Sequence, residues 1–344
     1  MKQPWSRALF LALSGVTAAL PVTFTALWPL SVVSFVPLCF LLFEELRSPV
    51  LPYRPRHYYG AGMLFSMTYF ITVFHWFTSL YPLDFVTGMT PAGAVGVILS
   101  ACIGLPLLQS VGFAVLFYAL AWLSRTPLVR RVPLLLTFLF AALWTVFAYS
   151  QTLTWAGVPW GAQLALAQYE NRVMIASASL FGSYFVTFIL AAVNALLAYA
   201  ALAMRERAVK AARVGAIVAL SLLCGNMALG GITYLLPREA GATVRATVVQ
   251  GNVASSEKWT GGDVMAVYED LARQAADEGA VLTVWPETAV AGYLEGDRLS
   301  RVQRLAAETG SVQVVGAFSH GTRADGSTCR YNSIFVVYPD GRVD

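Results

Sequence analysis

The residue whose type and position most suggest chemistry is Glu287, in the sequence VWPET at 284–288. The apolar run 280–285 predicts a buried strand, and ligand sites in open α/β sheets gather at the carboxyl ends of strands. A carboxylate beside Trp285 at such a place could act as a general base. The alternative is a glutamate that only caps the next loop. The three-residue motif WPE at 285–287 does not distinguish a general base from such a cap.

The other reactive side chains are scattered. Three of the four cysteines lie in apolar runs and are expected to be small buried hydrophobic residues: Cys39, Cys102 and Cys224. Cys329 stands alone in the polar part of the chain, so no disulfide framework is predicted there. The three histidines, His57, His75 and His320, are far apart and lack metal-ligand spacing. We therefore expect neither a metal nor a cofactor.

The elements that would position Glu287 alternate between strand and helix. Strands are predicted at 243–249, 280–285, 312–318 and 331–338, from apolar and β-branched runs. Two amphipathic helices lie between them, with Asp263 and Asp297 expected as N-caps and Gly279 and Gly310 as their ends. This order predicts a sheet with helices packed on a face.

Upstream of residue 237 the composition is that of a membrane protein. Apolar residues make up 57% of the chain and charged residues 12%, and only five of the nineteen acidic residues precede 237. Runs long enough to cross a bilayer are predicted near 8–27, 28–43, 58–80, 92–123, 132–150, 173–204 and 214–236. The first two, joined at Trp28-Pro29, are expected to form a hairpin.

Basic residues indicate the orientation of these seven predicted spans. Twelve lie at the N-terminus and in the alternate loops 44–57, 124–131 and 205–213, whereas the opposite loops contain only Arg172. The positive-inside rule then predicts a cytoplasmic N-terminus and an extracytoplasmic segment 237–344. The same distribution accounts for the net charge of +4 without a nucleic-acid partner, because no basic patch occurs in the polar segment.

The predicted outer loop 151–172 is rich in aromatic and small residues. Trp155 and Trp160 lie beside glycine and proline. An aromatic belt at the lipid headgroups is the favoured interpretation, and a partly submerged loop that admits lipid is the alternative.

The order of motifs resembles a known family. VVQGN at 248–252, Lys258-Trp259, WPET at 285–288, VGA at 315–317 and YNS at 331–333 follow one another as in the first half of a nitrilase-type, carbon–nitrogen hydrolase domain. Such a domain behind membrane spans, with His75-Trp76-Phe77 and Gly157-Val158-Pro159-Trp160 in the helical part, resembles the apolipoprotein N-acyltransferase family.

The resemblance implies a specific reaction. Family members use a Glu-Lys-Cys triad, in which a cysteine thiolate takes an acyl chain from a phospholipid and passes it to the N-terminal amine of a diacylglyceryl-cysteine lipoprotein. By motif match Glu287 is the general base, and Trp259 and Trp285 would shape the substrate pocket. The expected partners are a phospholipid donor, a diacylglyceryl apolipoprotein acceptor and the bacterial inner membrane.

The chain also departs from the family pattern. The triad lysine and cysteine and a last membrane span are expected after the Pro339-Asp340-Gly341 turn and are absent from the 344 residues. Lys258 is expected to be a solvated lysine and Cys329 a quiet cysteine, not replacements for them. We therefore expect a C-terminally truncated form that is inactive alone.

Other functions stay open at this point. A lipid- or lipoprotein-binding protein without activity shares every feature except turnover, and a membrane-anchored amide hydrolase would use the same domain. A transporter is disfavoured, because the polar candidates within the spans, His75, Asn194 and Asn226, include no carboxylate, lysine or arginine.

Overall fold

The computed structural model describes residues 4–83, 86, 88–153, 161, 163–236, 241–259, 263–323 and 325–344. The chain divides into two compact units. The helical unit comprises Met1–Pro82 and Pro91–Pro237, and the α/β unit comprises Leu83–Thr90 and Arg238–Asp344. The predicted loop motif with Trp155 and Trp160 lies outside the described residues.

Eleven α-helices occur in the described part of the helical unit. They are α1 (Pro4–Thr23), α2 (Val36–Leu46), α3 (Pro55–Val73), α4 (Pro91–Leu99), α5 (Leu105–Leu123), α6 (Pro127–Arg131), α7 (Leu135–Ser150), α8 (Arg172–Ala176), α9 (Ala178–Phe181), α10 (Ser183–Arg205) and α11 (Val209–Leu235). Short 3₁₀ segments occupy Thr25–Val32, Phe74–Leu80 and Leu164–Gln168, and a π-helical turn occupies Ser100–Gly104.

Six helical segments of the described chain are long and apolar enough to cross a membrane. They are Trp5–Thr23, Thr25–Leu46, Pro55–Leu80, Pro91–Leu123, Ser183–Arg205 and Val209–Leu235. Helices suit a bilayer because they satisfy every backbone polar group internally. At 16 residues, α7 is shorter than these six and equally apolar in character. The number of spans and their orientation stay predictions.

Proline and glycine explain where the helices depart from the apolar runs. The segment 91–123 is one continuous helical stretch, and its π-helical turn precedes Pro106, which cannot donate a backbone hydrogen bond. The run predicted as one helix over 173–204 is interrupted at Gly182, whose φ of 80° lies in the left-handed region. Hydropathy does not detect this break, because the residues around it remain apolar.

Buried aromatic rings form the centre of the helical unit. The Trp144 ring meets the rings of Phe35 and Phe113 at centroid distances of 4.7 Å each, the first edge to face. All three are fully buried, together with Phe65 and Tyr69. Rings in such contact contribute more than their buried area alone, so this cluster fixes how α3, α5 and α7 pack.

Two buried asparagines hydrogen-bond the segments that join helices. Asn194 accepts a hydrogen bond from the Phe35 amide at 2.8 Å and donates to the carbonyls of Ser31 and Leu190 at 2.7 and 2.8 Å. Asn226 accepts from the Ser177 hydroxyl at 2.7 Å. Both asparagines therefore stabilise irregular backbone at the junctions before α2 and α9, as expected for polar groups away from water.

The α/β unit contains one four-stranded sheet in the order β1 (Ala246–Val248), β2 (Leu282–Val284), β3 (Val312–Thr322) and β4 (Thr328–Val337). The first three strands are parallel, and β4 is antiparallel to β3. Helices α12 (Ser255–Trp259), α13 (Val264–Asp277) and α14 (Gly296–Thr309) lie between the strands. A polytopic helical part is thus followed by an α/β part, as predicted.

Ionic contacts join the two longer helices of this unit. The Arg301 guanidinium on α14 donates to Glu269 on α13 at 2.7 Å and to Asp263 at 3.0 and 3.1 Å. Asp263 is the N-cap residue of α13, as predicted, although its carboxylate makes no side-chain capping hydrogen bond and binds Arg301 instead. Asp297 lies inside the first turn of α14, not at its N-cap, so its predicted capping role is wrong.

Candidate active site

The turn after β2 holds Glu287 in place. The Trp285 amide donates to the Val314 carbonyl at 2.8 Å, and the Val290 amide donates to the Gly316 carbonyl at 3.2 Å. Between these anchors Thr288 has a φ of 48°, a conformation that costs free energy in a non-glycine residue. The turn is therefore tied at both ends to β3.

Gly316 is needed because β3 runs directly against this turn. A Cβ atom at 316 would lie 2.5 Å from the Pro286 carbonyl oxygen, 2.8 Å from the Thr288 nitrogen and 2.9 Å from the Glu287 Cα. All three distances are shorter than real Cβ contacts. The sequence VGA at 315–317 thus has a structural reason: glycine lets the backbone carrying Glu287 approach the strand.

Asn332 binds the Glu287 carboxylate. Its Nδ2 atom donates to Glu287 Oε1, and Asn332 itself lies on β4, opposite Phe318 of β3. Both side chains are exposed, so burial does not desolvate the Glu287 carboxylate. The sequence contained a signal for this contact in YNS at 331–333, but the sequence alone gave Asn332 no role.

Glu287 and Trp285 line one cavity of about 320 Å³. The remaining lining residues come from β2, β3 and β4: Val284, Val314, Gly316, Asn332, Ser333 and Ile334. Ile334 is 72% exposed, so this cavity has an apolar wall open to its surroundings. The arrangement places a carboxylate at the rim of a largely apolar groove.

Trp285 is mainly a core residue. It is 3% exposed, its Nε1 atom donates to Gln313 Oε1 at 3.0 Å, and its ring stacks on Tyr268 at 5.4 Å. Its satisfied hydrogen bond and stacked ring fix the strand end from which the Glu287 turn departs. Trp285 therefore forms part of the packed floor of the cavity, and its ring does not project into the open space.

Trp259 lies elsewhere. It is 46% exposed, stacks on Phe318 at 6.3 Å and lines a second cavity of about 340 Å³ that does not include Glu287. Of the two tryptophans predicted to shape the substrate pocket, only Trp285 shares a cavity with Glu287.

Lys258 lies close to the Glu287 turn, and the expectation of a solvated lysine is wrong. Its Nζ atom donates to Thr288 Oγ1 at 2.7 Å and is 3.5 Å from the Glu287 carbonyl oxygen. Burial lowers the pKa of the Lys258 ammonium, and the charge of Glu287 opposes that shift. The short helix α12 brings about this contact, which joins residues 30 apart in sequence.

Cys329 is badly placed to receive help from Glu287. It lies on β4 three residues from Asn332, hence about 10 Å along the strand and on the opposite face. A hydrogen bond with Cys329 raises the pKa of the exposed Tyr331 hydroxyl. Over the described ranges, no three His, Cys, Asp or Glu side chains are grouped as metal ligands.

Apolar helices long enough to cross a membrane, followed by an α/β unit with a mixed sheet and a glutamate after its second strand, define a class of membrane-anchored nitrilase-type proteins. Comparison with known families narrows this class. Residues 14–196 match the family model "Apolipoprotein N-acyltransferase N-terminal domain", and residues 245–344 match "Carbon-nitrogen hydrolase". The chain belongs to the apolipoprotein N-acyltransferase family, which confirms the resemblance read from the motifs.

Individual relatives agree along the whole chain. The apolipoprotein N-acyltransferase of Geobacter metallireducens is 29% identical over 345 residues, which cover 97% of this chain and 61% of the relative. That of Azotobacter vinelandii is 30% identical, with 97% and 61% covered, and that of Allorhizobium ampelinum is 26% identical, with 98% and 62% covered. The chain thus spans about three fifths of the length of these relatives.

Proposed function

We propose that this protein takes part in lipoprotein N-acylation, with Glu287 as the general base. An acyl chain would pass from a phospholipid to the N-terminal amine of a diacylglyceryl-cysteine lipoprotein through a thioester. Membership of the family supports the reaction class. The observation that carries the assignment of the base is the Glu287 carboxylate at the carboxyl end of β2, hydrogen-bonded by Asn332 and bordering an apolar groove.

The geometry suits proton transfer. Asn332 donates a hydrogen bond to Glu287 Oε1, whereas Oε2 has no hydrogen bond to a described residue. Oε2 is therefore the atom that would accept a proton. In the first half-reaction a thiol proton would go to Glu287 while sulfur bonds the ester carbonyl carbon, and Glu287 would pass that proton to the lysophospholipid oxygen as the ester carbon–oxygen bond breaks. In the second, Glu287 would take a proton from the lipoprotein amine as it attacks the thioester and pass it to the sulfur as the carbon–sulfur bond breaks, which restores the thiol.

The nucleophile would not be Cys329. Its distance along β4 and its position on the other strand face keep the thiol from Glu287, and a general base must reach its proton within about 3 Å or through one water. We therefore propose that the 344 residues alone do not transfer acyl chains. The contact of Lys258 with Thr288 supports a role for this lysine in holding the turn.

The protein is a bacterial membrane protein by its apolar helices and its relatives. We propose the inner membrane as its location, with the N-terminus in the cytoplasm and 237–344 outside. The distribution of basic residues supports this orientation, with twelve on one predicted side and Arg172 on the other.

A membrane-anchored amide hydrolase is the second candidate, because residues 245–344 match the carbon–nitrogen hydrolase model. The apolar wall at Ile334 favours a lipid over a small amide. The two candidates differ in product, since a hydrolase releases a free acid whereas an acyltransferase forms a new amide on the peptide.

The test uses two forms of the protein. One is the 344-residue chain, and the other carries, after Asp344, whatever part of the Geobacter metallireducens relative follows its matched region. Each is purified and incubated with phospholipid and a diacylglyceryl-cysteine peptide, and the mass of the peptide is then measured by mass spectrometry. We expect a triacylated peptide from the extended form only. Triacylation by the 344-residue chain would contradict the proposal, and its loss in Cys329→Ala would further show that Cys329 is the nucleophile.

A further inference from the structure

Away from the α/β unit, the helical unit has a cavity of about 320 Å³ with arginines in its wall. Three arginines line it: Arg47 and Arg125, just beyond the C-terminal ends of α2 and α5, and Arg130 on α6. Its apolar lining includes the buried side chains of Leu46, Val129 and Leu136. A space with an apolar floor and three cations in its wall is unusual, because charges next to apolar surface need partners.

Protein groups only partly satisfy two of these arginines. Arg125 donates to the carbonyls of Leu46 and Ser48 at 3.1 Å each, but its Nε atom is buried and bonds no described residue. Arg47 donates through Nη2 to Glu206 at 2.9 Å, and its Nη1 atom is likewise buried without a hydrogen bond to the described chain. Buried donors of this kind usually have an acceptor.

Charge around the cavity is strongly positive. Glu206 pairs with Arg47, whereas neither Arg125 nor Arg130 forms an ion pair with any residue that the structure describes. Burial, and after it the charge of Arg130, lower the pKa of the Arg125 guanidinium. The two arginines therefore repel each other across a space that an anion would stabilise.

We propose that this cavity binds the phosphate of an anionic phospholipid headgroup. Arginine forks match phosphate oxygens, and basic pockets between membrane helices bind anionic headgroups. A lipid is favoured over a free phosphate because exposed apolar residues lie within three positions of the arginines in the chain: Trp122 on α5 is 65% exposed and Leu128 on α6 is 64% exposed. These side chains would contact the acyl chains while the phosphate lies among the arginines.

The test compares Arg130→Gln with Arg213→Gln, two substitutions that each remove one positive charge from the full 344-residue chain. Arg130 lines the cavity and is exposed, so Arg130→Gln should leave the fold intact, whereas Arg125→Gln would also free the carbonyls at the end of α2. Arg213→Gln is the control, because Arg213 is exposed, basic and outside the cavity lining. Binding of phosphatidylglycerol and of phosphatidylethanolamine with the same acyl chains is titrated by native mass spectrometry in detergent.

We expect tighter binding of phosphatidylglycerol than of phosphatidylethanolamine, and a Kd for phosphatidylglycerol about fivefold higher in Arg130→Gln. The control Arg213→Gln should keep the original Kd. Equal weakening in both variants would show general attraction to a basic surface and would overturn the site. Complete displacement of phosphatidylglycerol by millimolar inorganic phosphate would show a free-anion site and would overturn the lipid assignment.

Discussion

The close approach of Gly316 to the Glu287 turn makes Gly316→Ala an informative perturbation. The new Cβ would lie 2.5 Å from the Pro286 carbonyl oxygen, and ordinary van der Waals contact begins near 3.4 Å, so the turn would have to move by about 0.9 Å. Such a shift would lengthen the hydrogen bond from the Val290 amide to the Gly316 carbonyl, which is already 3.2 Å. Overpacking of this kind typically costs about 1–3 kcal/mol.

Hydrogen exchange measures this free-energy cost at the turn itself. If opening of the turn becomes easier by about 1–3 kcal/mol, amides in peptides spanning 285–291 should exchange about five to 150 times faster. Gly241→Ala is the matched control, because no atom lies within 4 Å of a Cβ at 241. Peptides from α14 should be unchanged in both variants. Unaltered exchange at 285–291 in Gly316→Ala would refute the view that β3 constrains the Glu287 turn.

Three further predictions concern the rest of the chain. Asn194→Leu removes three hydrogen bonds at about 0.6–1.7 kcal/mol each and should lower the free energy of unfolding in detergent by about 2–5 kcal/mol. An unchanged denaturation midpoint would contradict the view that Asn194 stabilises the segment before α2. Because burial lowers the pKa of Lys258, an amine-acylating reagent should label this lysine at a lower pH than it labels a model-peptide lysine. Glu287→Gln removes a negative charge that raises the pKa of Lys258, so this variant should be labelled at a still lower pH; labelling at a higher pH would refute the contact between Lys258 and the Glu287 turn. Alkaline phosphatase fused after Asp344 should be active, and an active cytoplasmic reporter there would contradict the proposed orientation.

Features that depend on local sequence could be predicted. The apolar run 280–285 followed by Pro286 placed Glu287 at the end of a strand, and the structure has β2 at Leu282–Val284. Left-handed Gly279 and Gly310 end helices because only glycine adopts such φ values without strain, and both helix ends were predicted. Period and turn chemistry act over a few residues, so one sequence suffices to detect them.

Contacts between distant residues could not be predicted in this way. The contact of Asn332 with Glu287 spans 45 residues and that of Lys258 with Thr288 spans 30, so each depends on strand pairing and chain direction. The N-cap position of Asp263 was predicted correctly, but the bond of its carboxylate with Arg301, 38 residues away, was not. Polar residue types were visible in the sequence, but their partners were set by the fold.

The rate of acyl transfer in Glu287→Gln tests the central claim most directly. The extended form of the protein, with phospholipid and a diacylglyceryl-cysteine peptide, is compared with its Glu287→Gln and Glu278→Gln variants. Glu278 is an exposed carboxylate at the end of α13 and serves as the control. Loss of a general base should slow formation of triacylated peptide by about 10²- to 10⁴-fold in Glu287→Gln, while Glu278→Gln keeps the original rate. Equal rates in the two variants would contradict the assignment of Glu287 as the base.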